Sequence, residues 1–351
     1  MRIVVTGATG NVGTSVVRAL GRDPAVTDVV GVARRMPDVS LPKTTWVKAD
    51  VVHSDLGPLF SGADAVIHLA WLIQPSRDEA TLRATNVEGS LRVFHAAGSA
   101  GVPTVVHASS VGVYSPGPKD RRVDESWPTD GIHTSAYSRH KVEVERAIER
   151  FEREFEHVRW VRLRPGLIFK RDAAAEIRRL FAGPFLPNAL VRPALVPAIP
   201  DTDRLVFQAI HSHDVAEAYR LAVTTPEARG AYNIAAEPVL DAEAIAALFE
   251  ARTARVPRRV LRGAAHLTWQ LRLQPTDPSW LDVALETPLM DTSRARGELG
   301  FVAQRGADEA LGELIAGIRE GADLGTPPLA KATSGPLRVR ELLSGIGARV
   351  G

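Results

Sequence analysis

Cysteine is absent from the 351 residues. That excludes disulfides, thiolate nucleophiles and cysteine-ligated zinc or iron–sulfur centres, and it suits a reducing cytosol. Neither sign of charge dominates: 43 basic residues face 41 acidic ones, for a formal net charge of +2. A basic face for nucleic acid is therefore not expected. No apolar run approaches the ~18 residues that a membrane span needs, and the first five residues lead straight into a strand pattern without a basic-then-apolar leader. The expectation is a cytoplasmic protein that acts on a small molecule, with no metal, nucleic acid or membrane partner. What is present, 45% hydrophobic and 24% charged residues over this length, is enough for two domains or one large one.

Short apolar, β-branched runs alternate with helical patterns through the first half, the rhythm of a parallel sheet covered by helices on both faces. Strands are expected at Arg2–Val5, Asp28–Val32, Thr45–Lys48, Ala65–Leu69, Thr104–Ala108 and Val158–Leu163. Helices are expected over Gly13–Leu20, Asn86–Ala100 and Ser138–Phe155, with Tyr137 at the start of the last. Between Lys170 and Arg204, Pro184, Pro187, Pro193, Pro197 and Pro200 break the rhythm. The chain is then expected to rejoin the sheet at Leu205–His211 and Ala231–Ala235. The fold class is α/β: a Rossmann-like doubly wound parallel sheet over residues 1–169, completed by about 205–235. Residues 170–204 and 236–324 form a smaller, mostly helical C-terminal substrate domain, and 325–351 a docked or loose tail.

Directly after the first strand comes Thr6-Gly7-Ala8-Thr9-Gly10-Asn11-Val12-Gly13, opening the first helix. Glycines there let the backbone approach a pyrophosphate, whose charge meets free N–H groups and the positive end of the helix dipole. Gly7, Thr9, Gly10, Asn11, Val12 and Gly13 are thus candidate cofactor contacts. The second strand ends without the acidic residue that would bond a ribose 2′-hydroxyl; it carries Arg34 and Arg35, which suit a 2′-phosphate. NADP is favoured over NAD.

Tyr137 and Lys141 stand four residues apart, on one face of one helix turn. A phenol of ordinary pKa near ~10 is a poor base, and a close ammonium brings it toward working range. The pair follows by about thirty residues a strand that ends in Ser109-Ser110.

The Gly-x-x-Gly-x-x-Gly spacing, with Asp50-Val51, His68-Leu69-Ala70, Asn86 to Gly89, Ser109 to Tyr114, Tyr137 to Lys141 and Arg164-Pro165-Gly166, resembles the extended short-chain dehydrogenase/reductase (SDR) family, in its NAD-dependent epimerase/dehydratase group. The resemblance covers roughly residues 1–320. It implies Ser110, Tyr137 and Lys141 as the catalytic set, with Ser109 as the fallback serine. It also implies cofactor contacts at Asp50, Val51, Leu69, Ala70, Asn86 and Pro165, and a homodimer through the Asn86 and Tyr137 helices. Asn86 either supports Lys141 through water or caps its helix.

Departures from the family pattern narrow the chemistry. Val111 and Gly112 replace the Asp-Glu pair of dehydratases, and the run Arg164-Pro165-Gly166-Leu167-Ile168-Phe169 lacks the asparagine with which epimerases meet the substrate after the sixth strand. A less polar substrate is expected, with Trp71, Val111 and Leu167 as lining residues and Leu72, Ile168, Trp269 and Trp280 as further candidates. Arg192, Arg204 or Arg294 would have to supply any phosphate clamp. His211-Ser212-His213-Asp214 is read as a strand-to-helix junction capped by Asp214, not as a metal site. The expected function is hydride transfer to or from a carbonyl or secondary alcohol with Tyr137 as acid/base. One alternative is a nucleotide-sugar epimerase with retained cofactor. Another, from a different class, is a non-catalytic dinucleotide sensor.

Overall fold

A computed structural model describes residues 1–74, 76–182 and 196–330. Seven parallel strands form the main sheet: β1 (Arg2–Thr6), β2 (Asp28–Ala33), β3 (Thr44–Lys48), β4 (Ala65–His68), β5 (Thr104–Ala108), β6 (Arg159–Pro165) and β7 (Gly230–Ile234). Their spatial order is β7-β6-β5-β4-β1-β2-β3, which reverses direction beside β1, where a doubly wound sheet opens its ligand crevice. The central strands are mostly apolar because both faces are covered, with His68 and His107 buried among them.

On one face lie α1 (Asn11–Arg22) and, after the second half of the chain returns, α4 (Ser212–Thr224). The opposite face carries α2 (Gly89–Ser99) and α3 (Ala136–Glu154). Val16, Val17 and Leu20 of α1 pack with Val215, Ala218 and Tyr219 of α4. Val93 and Phe94 of α2 meet Val144 and Ile148 of α3. Each such fully buried aliphatic side chain contributes about 1.5–3 kcal/mol of burial free energy.

Residues 205–211 differ from expectation. The free edge of β6 is taken by β7, so Ala209–His211 does not enter the main sheet and pairs instead with Leu167–Phe169. Gly166 permits this bend, since a Cβ there would lie 2.5 Å from the Gln208 carbonyl oxygen. Beyond β7 the outer lobe includes α5 (Arg258–Gln270) and α6 (Ser279–Glu286), and α7 (Ala307–Glu320) then leads to residues 322–330. Ala295, Leu299, Phe301 and Ala307 belong to the main core.

Candidate active site

The turn after β1 is fixed by close backbone approach. Gly7 has φ +70°, and a Cβ on it would sit 2.7 Å from the Ala70 amide nitrogen; one on Gly13 would sit 2.3 Å from the Gly7 carbonyl. Gly10 precedes α1 and offers no side-chain cap, which leaves first-turn N–H groups for an anion. The buried Asn11 Oδ1 finds no partner among the described residues. A cradle of bare backbone with an orphaned acceptor beside it fits a dinucleotide.

Side chains brace the turn from three sides. The Lys170 ammonium donates to the Asn11 carbonyl (2.7 Å) and Thr14 Oγ1 (2.7 Å), and burial pushes its pKa down to about 8. Thr6 Oγ1 meets His68 Nδ1 at 2.7 Å, and His68 Nε2 meets Ser90 Oγ at 2.8 Å. Ser90 donates to the Asn86 carbonyl (2.6 Å). The Asn86 side chain then takes both backbone groups of Leu72, accepting from its N–H (2.7 Å) and donating to its carbonyl (2.8 Å). Asn86 therefore lies inside a helical turn and does not cap its start. The preceding helix begins at Glu79, capped by Asp78, and passes through a wider π turn at Ala84–Glu88 into α2. Finally, the buried Thr326 donates to the Thr9 carbonyl at 2.9 Å, and Leu329 beside it is fully buried. The chain thus reaches back across the turn at its far end.

At the end of β2, Arg34 and Arg35 are exposed. Burial, and the like charges of Arg179 and Arg34, lower the Arg35 pKa. Arg179 itself donates to the Pro328 carbonyl at 2.8 Å. Asp50 accepts from the Val52 N–H (2.8 Å), and Val51 is buried against the start of α2.

The two serines after β5 separate cleanly. Ser109 donates to the Glu145 carboxylate, whereas Ser110 Oγ accepts from the Gly112 N–H at 3.0 Å and borders Gly112 together with the Tyr137 ring. Ser135 caps α3 and Tyr137 is its second residue. Burial pushes the Tyr137 phenol up to about 12 and the Ser110 hydroxyl opposes that shift. Lys141, buried one turn on, donates to the Ala108 carbonyl (2.6 Å) and lies 3.4 Å from the centroid of the Trp71 ring. Burial drives its pKa well below the usual lysine range, with Glu145 offsetting part of the shift.

Beneath this trio, Arg164 donates to both Glu145 oxygens (3.0 and 2.5 Å) and to the Tyr114 hydroxyl (3.0 Å). Tyr114 in turn donates to Asn233 Oδ1 at 2.6 Å. Guanidinium and carboxylate are both almost fully buried. The network clamps α3 to β6 and β7, which fixes the height of Tyr137 above the sheet.

Around Tyr137 the surface is aromatic. Trp71 meets it edge-on with ring centroids 6.0 Å apart, Trp280 of α6 lies at 4.8 Å, and Phe181 meets Trp280 at 5.2 Å. Trp71 Nε1 is buried without a partner among the described residues. Val111 follows Ser110 in a short turn, and Leu167 is partly exposed. Ile168 packs on the main core, and the Trp269 ring lies under the Arg77 guanidinium, so neither joins this cluster.

Other sequence candidates are committed elsewhere. Arg204 donates to the Leu285 and Gly117 carbonyls, and Arg294 to the Ala231 and Arg229 carbonyls. Arg192 lies outside the described residues. His211, not Asp214, caps α4, by accepting from the His213 N–H; Asp214 accepts from the Arg305 N–H instead. No group of three metal-ligating side chains occurs among the described residues. Sequence reasoning missed Lys170, Phe181 and Thr326, and placed Trp280 only as a candidate. Each reaches the site from a distant part of the chain, and none has a local motif.

The profile of the NAD dependent epimerase/dehydratase family matches residues 3–235. Uncharacterized protein Rv2047c of Mycobacterium tuberculosis is 27% identical over 327 residues, covering 93% of this chain but 31% of its own length. The chain thus spans about a third of the curated relatives it matches along most of its length. L-arabinose 1-dehydrogenase (NAD(P)(+)) of Haloferax volcanii is 36% identical over 110 residues, 31% of this chain and 41% of that protein. A short-chain dehydrogenase/reductase superfamily protein from Agrobacterium tumefaciens, solved with bound NAD, superposes with a TM-score of 0.69 at 24% identity, over 92% of this chain and 98% of that one; this likeness speaks to the fold. The glycine turn and the Ser110, Tyr137 and Lys141 side chains all lie within residues 3–235, and the chain belongs to the NAD dependent epimerase/dehydratase family.

Proposed function

We propose that this chain is an NAD(P)-linked dehydrogenase or reductase acting on a secondary alcohol or carbonyl of low polarity. The observation that carries the reading is the convergence of Ser110 and the Tyr137 ring beside Gly112, with Lys141 one helical turn away. Tyr137 takes a proton from the substrate hydroxyl, or returns one to the carbonyl, while Ser110 shares the oxyanion. Without a neighbouring positive charge a phenol near 12 holds its proton at neutral pH. A protonated Lys141, its Nζ 5.7 Å from the Tyr137 ring centroid, would lower it, and a bound dinucleotide would supply the hydride acceptor or donor. Gly7, Thr9, Gly10, Asn11, Val12 and Gly13 would hold the pyrophosphate, with Asp50, Val51, Leu69, Ala70, Asn86 and Pro165 along the rest of the cofactor.

NADP is the proposed cofactor, because Arg34, Arg35 and Arg179 bring three guanidinium groups to the end of β2, where a 2′-phosphate would lie. Trp71, Val111 and Leu167 would meet the substrate, with Trp280 and Phe181 beside them. Arg204 and Arg294 are occupied by backbone carbonyls, which argues against a diphosphate-sugar substrate. Residues 170–204 with 236–324 are proposed as the substrate domain. A homodimer through α2 and α3, and residence in the cytoplasm, complete the proposal.

A second reading, an epimerase that keeps its cofactor, is favoured by the Thr326 hydroxyl fastened to Thr9 across the dinucleotide turn. One experiment tests both. Purified protein is denatured and its released dinucleotide identified by mass spectrometry, then turnover of apolar ketones and alcohols is followed at the reduced-nicotinamide absorbance. Net absorbance change that falls about 100-fold or more in Tyr137→Phe supports the dehydrogenase. Stoichiometric bound dinucleotide without net change supports the epimerase. Turnover indifferent to Tyr137→Phe overturns both.

A further inference from the structure

Helix α5 is built inside out. At 3.6 residues per turn, Val260, Leu267 and Leu271 fall within about 40° of one another around its axis. They are 59%, 58% and 60% exposed, and Leu273 just past the helix end is 49% exposed. The opposite side carries Arg258, Arg262 and Trp269. Arg262 donates to both oxygens of the buried Asp282 on α6 (2.8 and 2.9 Å), and Arg258 to Glu286. A helix on a protein surface ordinarily turns its apolar stripe inward and its charges to water. Here the charges face the protein, the aliphatic stripe faces out, and no residue of the helix is fully buried.

Along the segment that carries the stripe, the sequence has charge of one sign. Residues 251–276 contain six arginines and no aspartate or glutamate. Arg255 pairs with Asp201 and Asp203, and Arg258 and Arg262 point to α6. The exposed Arg252, Arg259 and Arg272 form no ion pair with any described residue. Arg259 lies at one end of the stripe and Arg272 at the other. Two copies packed antiparallel through this face would oppose arginine to arginine, which disfavours self-association. An aliphatic ridge flanked by cations, with no acidic residue, is the pattern of a helix that lies flat in the headgroup layer of an anionic bilayer.

We infer that α5 is a peripheral membrane-docking helix, its Val260–Leu267–Leu271 ridge inserting shallowly among anionic lipids while Arg252, Arg259 and Arg272 meet their headgroups. This departs from the expectation of no membrane partner, which rested on the lack of a spanning segment. The described residues indeed hold no helix long and apolar enough to cross a membrane, but lying on a surface needs none. The contact stands apart from the proposed reaction and is read without substrate.

The test is co-sedimentation of the full chain with vesicles of phosphatidylcholine alone or of equal parts phosphatidylcholine and phosphatidylglycerol. The chain should bind the mixed vesicles and not the neutral ones. Leu267→Glu with Leu271→Glu should weaken binding at least about ten-fold. Arg259→Gln with Arg272→Gln should weaken it roughly twenty-fold, about five-fold for each arginine near an anionic surface. Arg296→Gln with Arg319→Gln removes the same charge from other exposed helices and should change binding less than about two-fold. All these side chains are exposed, and an unchanged thermal midpoint verifies that the variants fold. Absence of binding to the mixed vesicles overturns the inference. So does equal weakening by the Arg296 and Arg319 pair, or a leucine variant that binds as wild type. A leucine variant that alters the sedimenting mass of the lipid-free protein overturns it in favour of a protein interface.

Discussion

Arg164 and Arg262 each grip a carboxylate with two nitrogens, one beneath α3 and one on the rim of the outer lobe. Around Arg164 the groups Glu145, Tyr114, Ser109 and Asn233 partner one another inside the protein, and guanidinium and carboxylate are both almost fully buried. Around Arg262 the guanidinium is 41% exposed, and Asp282 keeps Thr134 as a second donor. The same chemical pair is thus closed off on both sides in one region and open to solvent on its arginine side in the other. Buried pairs are costly to break, not strong to make, so such a joint enforces the position of Tyr137 more than it adds to stability.

That contrast can be broken by mutation. Arg164→Leu leaves Glu145 ionised and buried, and should cost about 3–5 kcal/mol in urea unfolding; a loss below about 1 kcal/mol would put the two pairs in one class. Acid should act next, through His68 and His107. Burial lowers both, His68 to about 3, with the Lys141 charge as a further cause. The unfolded chain binds these protons below about pH 6.5 and the folded chain does not. Stability is therefore complete above that pH and falls as pH drops toward the folded values, by about 1.4 kcal/mol per histidine per pH unit. Urea midpoints measured across that range, with His107→Leu showing the shallower slope, check the sign.

Smaller effects sharpen the picture at the cofactor and on the rim. Arg34→Ala should weaken NADPH binding about ten-fold by fluorescence titration and leave NADH nearly unchanged. Equal loss for both would remove the proposed 2′-phosphate role. Arg262→Met should cost no more than about 1 kcal/mol, since its partner keeps other donors and the guanidinium is half solvated.

Sequence reading served the dinucleotide half well because local rules act there. Strands covered on both faces must be apolar runs, a turn at van der Waals distance from the Ala70 backbone must be glycine, and Tyr137 and Lys141 must be four apart to share a face. It set Ser110 ahead of Ser109 only through the family resemblance, since adjacent extended residues point to opposite sides and the position of Glu145, which engages Ser109, is not a local property. Asn86 looked like a cap because the wide turn at Ala84–Glu88 hides the helix that precedes it. Ala209–His211 had the composition of a sheet strand, but the edge it would have joined was already occupied by β7. In the outer lobe the inverted amphipathicity of α5 is visible only once the direction of its arginines is known.

The hook between Thr326 and Thr9 joins positions 317 residues apart. Folding the first strand–turn–helix unit therefore does not finish its own mouth; that waits on residues made near the other end of the chain. Shortening the protein ahead of Thr326 would strip a buried hydroxyl and a fully buried leucine from that mouth, so a truncation chosen for convenience would also be an edit to the nucleotide's doorway.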